Sequence, residues 1–230
     1  MKNIYLAQIS IGYADAPYAY YPYSVASIWA YALTNPTVAN NYNLGKFLYL
    51  LDTDIDAVVA SLNNPSVVGF SIYVWNTVYS LTLAKAIKQK YPDCIIVFGG
   101  PNVPTNTHNW LLEHSFIDYT ILQEGESAFT SLLTNIHDFS NEPVPGVSYI
   151  NNGVYTYTPP IRILSLEDIP SPYVTGLLDD VTSDAKARGL TLNAVIETDR
   201  GCPYQCTFCD WGSLVYQKVR KLSLDRVFQE

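Results

Sequence analysis

The sequence of 230 residues predicts an α/β fold, with a doubly wound parallel sheet in residues 1–140. Two patterns indicate this fold. Short segments that are apolar throughout alternate with segments whose apolar residues recur with the period of an amphipathic helix. Strands of continuous apolar character are typical of a parallel sheet covered by helices on both faces. Hydrophobic residues make up 48% of the chain and charged residues 15%, so the sequence also supplies a large core.

The elements of this sheet follow one another along the chain. Strands are predicted at residues 4–9, 47–51, 67–73, 95–98 and 119–122. Helices are predicted at residues 54–62, 77–90, 107–113 and 127–137, the last entered through Glu124, Gly125 and Glu126. Right-handed crossovers then give a flavodoxin-like, Rossmann-like sheet of about five strands. Ligands of such sheets bind beyond the carboxyl ends of the strands, near the point where the strand order reverses.

Residues 141–189 are predicted to be a linker between this first domain and a second one at residues 190–230. Six prolines fall between residues 143 and 172. Apolar segments at 147–150 and 154–157 flank Asn151, Asn152 and Gly153, which predicts a β-hairpin because Asn and Gly tolerate positive φ. Residues 193–197 are predicted to form one more strand, and residues 222–230 to begin a helix with Ser223 as its N-cap.

Three of the four cysteines, Cys202, Cys206 and Cys209, lie on one short loop directly after that predicted strand. Three thiolates on one loop can hold three corners of a cubane iron–sulfur cluster. They leave one iron without a protein ligand, free to bind a cosubstrate, whereas four cysteines suit simple electron transfer. Arg200 and Asp210 flank the loop and are expected to be solvated surface charges, with tuning of the cluster potential as the alternative. Cys94 lies apart, as a small apolar residue at a strand start.

Other interpretations of the three cysteines stay open at this stage. A structural zinc site requires four ligands, and the nearest histidine, His137, lies more than sixty residues upstream. A redox pair of Cys206 and Cys209 would follow the first strand of a small thioredoxin-like fold. Incidental buried cysteines are the third possibility.

The segment from Arg200 to Asp210 resembles the signature of radical S-adenosylmethionine (SAM) enzymes. The resemblance implies that Cys202, Cys206 and Cys209 hold a [4Fe–4S] cluster whose open iron chelates SAM, and that Phe208 packs near the adenine. Reductive cleavage of SAM then gives a 5′-deoxyadenosyl radical. It also implies a partial (β/α) barrel, of which residues 190–230 are the start, and an electron donor such as flavodoxin or ferredoxin.

A flavodoxin-like domain ahead of this loop resembles the cobalamin (B12)-binding subclass of radical SAM proteins. The resemblance lies in the segments that follow three predicted strands. It implies that these segments contact cobalamin through Tyr73, Trp75, Asn76, Gly99, Gly100, Pro101, Gln123, Glu124, Gly125 and Glu126. The Asp-x-His-x-x-Gly motif of classical cobalamin domains is missing, and His108, His114 and His137 are predicted to lie on the surface or on helix faces. Either cobalamin is held without a protein histidine, or the domain keeps the fold without the cofactor.

The resemblance therefore implies a radical SAM enzyme that catalyses cobalamin-dependent methyl transfer or a related radical reaction. A full barrel takes about 200–250 residues, so the chain alone is expected to be incomplete for turnover, either truncated or completed by a second polypeptide. The first alternative is a non-catalytic fragment that binds cobalamin or a partner. The second is a structural zinc-binding protein. No catalytic residue is singled out, and the substrate, a small molecule or a peptide, is left open.

Charge and hydropathy restrict the partners. The net charge is −8 with only 13 lysines and arginines, whereas nucleic acids are bound through clusters of positive charge. No apolar run reaches the length of a membrane span, and the first residues lack the features of a signal peptide. We therefore expect a cytoplasmic protein that binds neither nucleic acid nor a membrane.

Overall fold

The computed structural model of the chain describes residues 1–10, 17–136, 143–204, 206–209 and 218–230. Its strands are β1 (Lys2–Ser10), β2 (Tyr18–Tyr20), β3 (Tyr42–Leu50), β4 (Pro65–Ser71), β5 (Ile95–Gly99), β6 (Tyr119–Ile121), β7 (Val147–Asn151), β8 (Val154–Tyr157), β9 (Thr191–Asn193), β10 (Asp199–Arg200) and β11 (Arg220–Lys221). Its α-helices are α1 (Tyr23–Ala32), α2 (Pro36–Asn41), α3 (Ile55–Ala60), α4 (Thr77–Lys90), α5 (His108–Glu113), α6 (Gly125–Asn135), α7 (Asp179–Ala187) and α8 (Leu224–Gln229).

The central sheet has seven strands in the order β3-β1-β4-β5-β6-β7-β8. The first five in this order are parallel to one another. Counted along the chain among themselves, these five have the order 2-1-3-4-5 of flavodoxin-like sheets, with the switch point between β1 and β4. The predicted fold class is confirmed.

The two faces of the sheet carry separate cores because side chains alternate along each strand. Ile4 and Leu6 of β1 point into the core beneath α1, α6 and α7. Tyr5 and Ala7 point into the other core, beneath α3, α4 and α5. Both faces of the parallel strands are thus buried, as their continuous apolar sequences predict.

The predicted hairpin is present, but it extends the central sheet. Strand β7 pairs antiparallel with β6, and β8 pairs with β7. The turn has Asn152 at φ 49° and Gly153 at φ 78°, the positive values that suit a two-residue hairpin loop. Pairing through β7 covers the edge of β6, which would otherwise expose unpaired backbone groups. The predicted division into residues 1–140, 141–189 and 190–230 stays a prediction, but the sheet itself continues through β8.

Helix α1 was not predicted from the sequence. Seven of its ten residues are buried: Tyr23, Val25, Ala26, Ser27, Trp29, Ala30 and Ala32. A helix that is apolar on nearly every side lacks the contrast between faces on which helical periodicity depends. The short strand β2 was also not predicted; it pairs in parallel with β9, which brings residues 18–20 next to residues 191–193.

The predicted strand at residues 193–197 is wrong, because β9 ends at Asn193 and residues 194–198 form no strand in the described structure. The cause is a competing partner for the backbone. The Tyr173 hydroxyl donates to the Val195 carbonyl (3.0 Å) and accepts from the Val195 amide (3.2 Å). Val195 and Ile196 are 38% and 46% exposed, so no sheet covers them here.

The remaining predictions differ from the structure mainly at element ends. Helix α4 has the predicted bounds, and Ser223 caps α8 by accepting from the Arg226 amide at 3.3 Å. Helix α6 begins two residues before its predicted start, and its predicted end at His137 lies outside the described residues. Within the ranges described above, no helix is both long and apolar enough to cross a membrane.

Candidate functional site

The three predicted cofactor segments lie at one edge of the sheet, because each follows the carboxyl end of a parallel strand. Residues 73–76 follow β4, residues 99–101 end β5, and residues 123–126 follow β6. The first two segments pack directly on each other. The Ile72 amide donates to the Gly99 carbonyl at 2.8 Å, and the Asn102 amide donates to the Ile72 carbonyl at 3.2 Å. We call this region the carboxyl edge.

Gly100 is required by this packing. Its φ is +99°, and a β-carbon at this position would lie 2.6 Å from the Ile72 carbonyl oxygen and 2.7 Å from the Ile72 amide nitrogen. A side chain would therefore separate the two turns. The packing against Ile72 is therefore enough to explain the glycine at position 100. The predicted contact of Gly99, Gly100 and Pro101 with a cofactor stays a prediction.

Asn76 joins three elements at the carboxyl edge. Its side-chain oxygen accepts from the Tyr73 amide at 2.8 Å, and its side-chain nitrogen donates to the carbonyls of Ile9 (3.1 Å) and Ser71 (3.2 Å). The residue is buried at the start of α4. Its amide group is thus used by the ends of β1 and β4, and the predicted contact of Asn76 with a cofactor stays a prediction.

An aromatic pair presents an apolar surface next to Asn76. The rings of Tyr73 and Trp75 stack with centroids 4.6 Å apart and an interplanar angle of 11°. Trp75 is 51% exposed, and its apolar neighbours Val74 and Val78 are also exposed. A flat aromatic surface surrounded by valines suits a large ligand with apolar faces.

A polar cluster lies at the switch point between β1 and β4. Ser24, at the start of α1, donates from its hydroxyl to the Gln8 side-chain oxygen at 2.7 Å, and the same oxygen accepts from the Ser24 amide at 2.9 Å. The Ser24 hydroxyl also lies 3.3 Å from the Ser71 hydroxyl and 3.4 Å from that of Tyr73. Sequence reasoning missed Gln8 and Ser24, because α1 was not predicted and its start could not be placed at the switch point.

The segment that follows β6 combines an unusual backbone with two acidic side chains. Gln123 is exposed and has φ +64°, a value uncommon for a residue with a side chain. Gly125 packs against α1, since a β-carbon there would lie 2.8 Å from the Ile28 Cδ1 atom. Glu124 and Glu126 lie at the positive amino end of α6, where the helix dipole stabilises negative charge.

The carboxylates of Glu124 and Glu126 are paired with two arginines that flank the cysteine loop. Arg200 donates to Glu126 (2.9 Å) and to Glu197 (2.6 and 2.8 Å), and it lies 3.6 Å from Glu124. Arg220 donates to both carboxylate oxygens of Glu124. We call these five residues the charge cluster. The predicted contact of Glu124 and Glu126 with a cofactor stays a prediction, because their carboxylates are used within the protein.

The expectation that Arg200 is a solvated surface charge is wrong. Its side chain is only 14% exposed. Burial alone would lower the pKa of Arg200, but its hydrogen bonds to Glu197 and Glu126 raise it above the usual range. Burial would likewise raise the pKa of Glu124, but the Arg220 hydrogen bond and the charge of Arg200 hold it below its ordinary value. Asp210 lies outside the described residues.

The loop that carries the three cysteines, called the cysteine loop, connects β10 with β11. These two strands pair antiparallel at its base. Gly201 allows the close approach of the two sides, because a β-carbon there would lie 2.6 Å from the Lys218 carbonyl oxygen. Cys206 is exposed, and Cys202 and Cys209 are half-buried; all are free thiols. Phe208 is 90% exposed. In the parts of the chain that the structure describes, no three Cys, His, Asp or Glu side chains lie close enough to form a metal site.

Comparison with known proteins shows what the chain is similar to. A model of the B12 binding domain matches residues 43–133. The chain is 35% identical over 217 residues to the cobalamin-dependent radical SAM methyltransferase TokK of Streptomyces tokunonensis. It is 34% identical over 206 residues to the 2-(S-pantetheinyl)-carbapenam-3-carboxylate methyltransferase of Streptantibioticus cattleyicolor. Residues 43–133 thus match a B12 binding domain, and most of the chain is similar to cobalamin-dependent radical SAM methyltransferases.

The matches cover most of this chain but only part of each relative. The two sequence matches cover 93% and 87% of this chain, and 32% and 30% of the relatives. The solved structure of OxsB, a cobalamin-dependent SAM radical enzyme with aqua-cobalamin and SAM bound, matches with a TM-score of 0.74 at 18% identity, over 98% of this chain and 30% of that chain. The structural match shows a shared fold. The chain thus spans about a third of the length of these relatives.

Two surface pockets of this B12-binding-domain protein lie away from the predicted site. One of about 400 Å³ lies beside Tyr119 and Asn151. The other, of about 420 Å³, lies beside Lys2, Pro65 and Ile95. Lys2, Pro65, Ile95 and Tyr119 mark the amino ends of parallel strands, and Asn151 ends the antiparallel β7 at the same edge. Neither pocket contains a predicted cofactor residue. The two described histidines lie on or next to α5, with His108 exposed and the His114 ring bonded to the Trp110 carbonyl at 2.9 Å. His137 lies outside the described residues.

Proposed function

We propose that the chain is the cofactor-binding part of a cobalamin-dependent radical SAM methyltransferase. In this proposal cobalamin binds at the carboxyl edge, and Cys202, Cys206 and Cys209 hold a [4Fe–4S] cluster that binds SAM. The observation that carries the proposal is the charge cluster, because it joins the base of the cysteine loop to the loop that follows β6. Two cofactors that act together must be held side by side, and this contact between the base of the loop and the turn after β6 supports such an arrangement.

The residues of the carboxyl edge fit cobalamin in shape and chemistry. The Tyr73–Trp75 stack and the exposed Val74 and Val78 supply an apolar surface for a macrocycle. Ser24, Gln8 and Ser71 supply hydroxyl and amide groups at the switch point, where polar parts of a ligand bind in sheets of this kind. The described histidines lie elsewhere, so cobalamin is proposed to bind without a ligand from either of them.

The three cysteines fit an iron–sulfur cluster by their donor chemistry. Cys202, Cys206 and Cys209 are free thiols on one loop, and Cys206 is open to solvent. Thiolates are the usual ligands of such clusters, and three of them leave one iron open. Phe208 is exposed beside them, where it is free to pack on the adenine of SAM.

The chain's own residues would bind and orient these groups, because the radical and methyl-transfer chemistry is that of the bound cofactors. The Tyr73–Trp75 surface would hold one side of the corrinoid and keep water from it. The charge cluster fixes the direction in which the cysteine loop leaves the sheet. Turnover also requires a reductant, for which a flavodoxin or a ferredoxin is proposed, and a small-molecule or peptide substrate.

Anaerobic reconstitution tests this proposal. The purified chain is loaded with iron and sulfide, and its iron content and the EPR spectrum of the reduced form are recorded before and after SAM is added. The expected result is about four irons per chain, a [4Fe–4S] signal and a change of that signal with SAM. A triple Cys202/Cys206/Cys209→Ala variant should lose the iron and the signal. Cys94→Ala, which removes the buried cysteine, is the matched control and should keep both.

The same experiment separates the alternatives. Zinc bound through the three cysteines would establish the structural zinc site and refute the cluster. Binding of hydroxocobalamin without any iron that depends on the cysteines would leave a cobalamin-binding module without radical chemistry. The match of the B12 binding domain model to residues 43–133 is the observation that favours this second candidate.

A further inference from the structure

The charge cluster takes no direct part in the proposed chemistry, but most of its charges are buried. Glu126 and Glu124 are 5% and 12% exposed in their side chains, and Arg220 is 10% exposed. Removing a charge from water is costly, so charges this buried persist only when each is paired and hydrogen-bonded. The five residues meet this condition through the contacts given above.

The cluster connects parts of the chain that are far apart in sequence. Arg200 and Glu126 are separated by 74 residues, and Arg220 and Glu124 by 96. On one side lies the first turn of α6, which follows β6 at the carboxyl edge. On the other side lie β10 and β11, the two strands from which the cysteine loop emerges. The loop is thus fixed at both of its ends to a single turn of helix.

Further contacts reach the cluster from the two sides. Arg220 also donates to the Ile163 carbonyl, and the Leu222 amide donates to the Thr198 carbonyl at 3.0 Å. Gln123, the residue before the cluster, is exposed at the carboxyl edge and held at positive φ. A ligand that contacts Gln123 therefore acts on the backbone that positions Glu124 and Glu126.

We propose that Arg200 is a positioning residue through which cobalamin bound at the carboxyl edge holds the base of the cysteine loop in place. Ligand contact restrains residues 123–126, the restrained carboxylates hold Arg200, and Arg200 holds β10 against β11. This coupling is reciprocal, so a fixed cysteine loop also favours cobalamin binding. The proposal takes cobalamin as the ligand of the carboxyl edge and in that respect rests on the proposed function.

Hydrogen–deuterium exchange of the metal-free full chain, with and without hydroxocobalamin, tests the coupling. The amides at residues 198–201 and 220–222 report on the base of the loop, and absorbance titration gives the affinity for hydroxocobalamin. In the unsubstituted chain, hydroxocobalamin should slow exchange at these amides roughly tenfold, the usual size of coupling between two sites. In Arg200→Met, the protection at the loop base should be lost at saturating hydroxocobalamin, and the affinity should fall by no more than about tenfold, because the coupling is reciprocal.

Arg188→Met is the matched control. Arg188 also donates to a carboxylate, that of Asp184 at 2.9 Å, but the pair is exposed and lies on α7. This variant should keep both the affinity and the protection. Cys94, which is 1% exposed, gives an internal check of folding, because its alkylation rate rises only when the sheet opens. If Arg200→Met fails this check, Glu126→Gln, which weakens one contact of the cluster, replaces it.

The outcomes separate the two proposals. If the unsubstituted chain does not bind hydroxocobalamin, the proposed cobalamin site is wrong and the coupling has no ligand. If it binds but exchange at the loop base does not change, or changes equally in Arg200→Met, the cobalamin site stands and Arg200 is not a positioning residue. Loss of protection in Arg200→Met alone supports the coupling.

Discussion

At the scale of single residues, the charge cluster makes the stability of the protein depend on pH. The pKa of Glu124 is held below its ordinary value of 4.5, because the Arg220 hydrogen bond and the charges of Arg200, Arg220 and Arg162 outweigh the effect of burial. A carboxyl whose pKa is lower in the folded than in the unfolded chain stabilises the fold above the unfolded value. This stabilisation is lost as the pH falls through the folded value.

We therefore expect the free energy of unfolding to decrease as the pH is lowered below 4.5, with Glu124 contributing to the slope. Glu124→Gln cannot take up that proton and should show a shallower decrease. Urea unfolding at a series of pH values measures this. Glu113→Gln removes an exposed carboxylate on α5 and controls for the change in net charge. Equal slopes in Glu124→Gln and the unsubstituted chain would show that Glu124 does not stabilise the fold in this way.

Single residues also mark the limit of what the sequence predicts about the site. The segments at residues 73–76, 99–101 and 123–126 were predicted from the resemblance to cobalamin-binding radical SAM proteins, which lies after three predicted strands, and the structure brings them to one edge. The partners of their side chains were not predictable in the same way. Arg200 lies 74 residues from Glu126, and Arg220 lies 96 residues from Glu124. No local sequence pattern relates charges that are so far apart. For this reason the sequence alone predicted that Arg200 is a surface charge.

At the scale of elements, the carboxyl edge depends on contacts between strand ends and helix starts. Asn76 is the clearest case, because its one side chain, at the start of α4, binds the backbone of Ile9 in β1, of Ser71 at the end of β4 and of Tyr73 after β4. A buried polar group that loses its partner costs about 1–3 kcal/mol. The position of the Tyr73–Trp75 stack therefore depends on Asn76 even without a direct contact to a ligand.

Asn76→Ala leaves two carbonyls and one amide without this partner, so we expect it to lower the free energy of unfolding by more than about 2 kcal/mol. Asn41→Ala is the matched control. Asn41 makes one exposed hydrogen bond, to the Thr37 carbonyl at 2.8 Å, and its loss should cost less than about 0.5 kcal/mol. Urea unfolding monitored by circular dichroism measures both. Similar losses in the two variants would refute the bridging role of Asn76.

Elements were predicted well where their two faces differ in polarity. Helix α4 was predicted with its observed bounds because apolar and lysine-rich faces alternate along it. Helix α1 was not, because nearly all of its surface is buried. The strand predicted at residues 193–197 failed for the opposite reason. Its apolar residues favour a strand, but the Tyr173 hydroxyl takes the backbone groups of Val195 and no described strand pairs with it.

At the scale of the whole molecule, the segment after β6, which is part of the predicted cobalamin site, contacts the two strands at the base of the predicted cluster loop. The sheet places the apolar Tyr73–Trp75 surface and the switch-point hydroxyls on one side. The charge cluster ties the cysteine loop to the turn that follows β6. The pockets of about 400 and 420 Å³ lie at the opposite edge, so a ligand found there would require a different account.

The positions of cobalt and iron test this arrangement most directly. Crystals of the chain, loaded anaerobically with iron and sulfide and with hydroxocobalamin, would be measured at the absorption edges of both metals. We expect the anomalous signal of cobalt beyond the carboxyl ends of β4 and β5, and that of iron at Cys202, Cys206 and Cys209. A cobalt signal at the amino ends of the strands, or no iron at the three cysteines, would contradict the account.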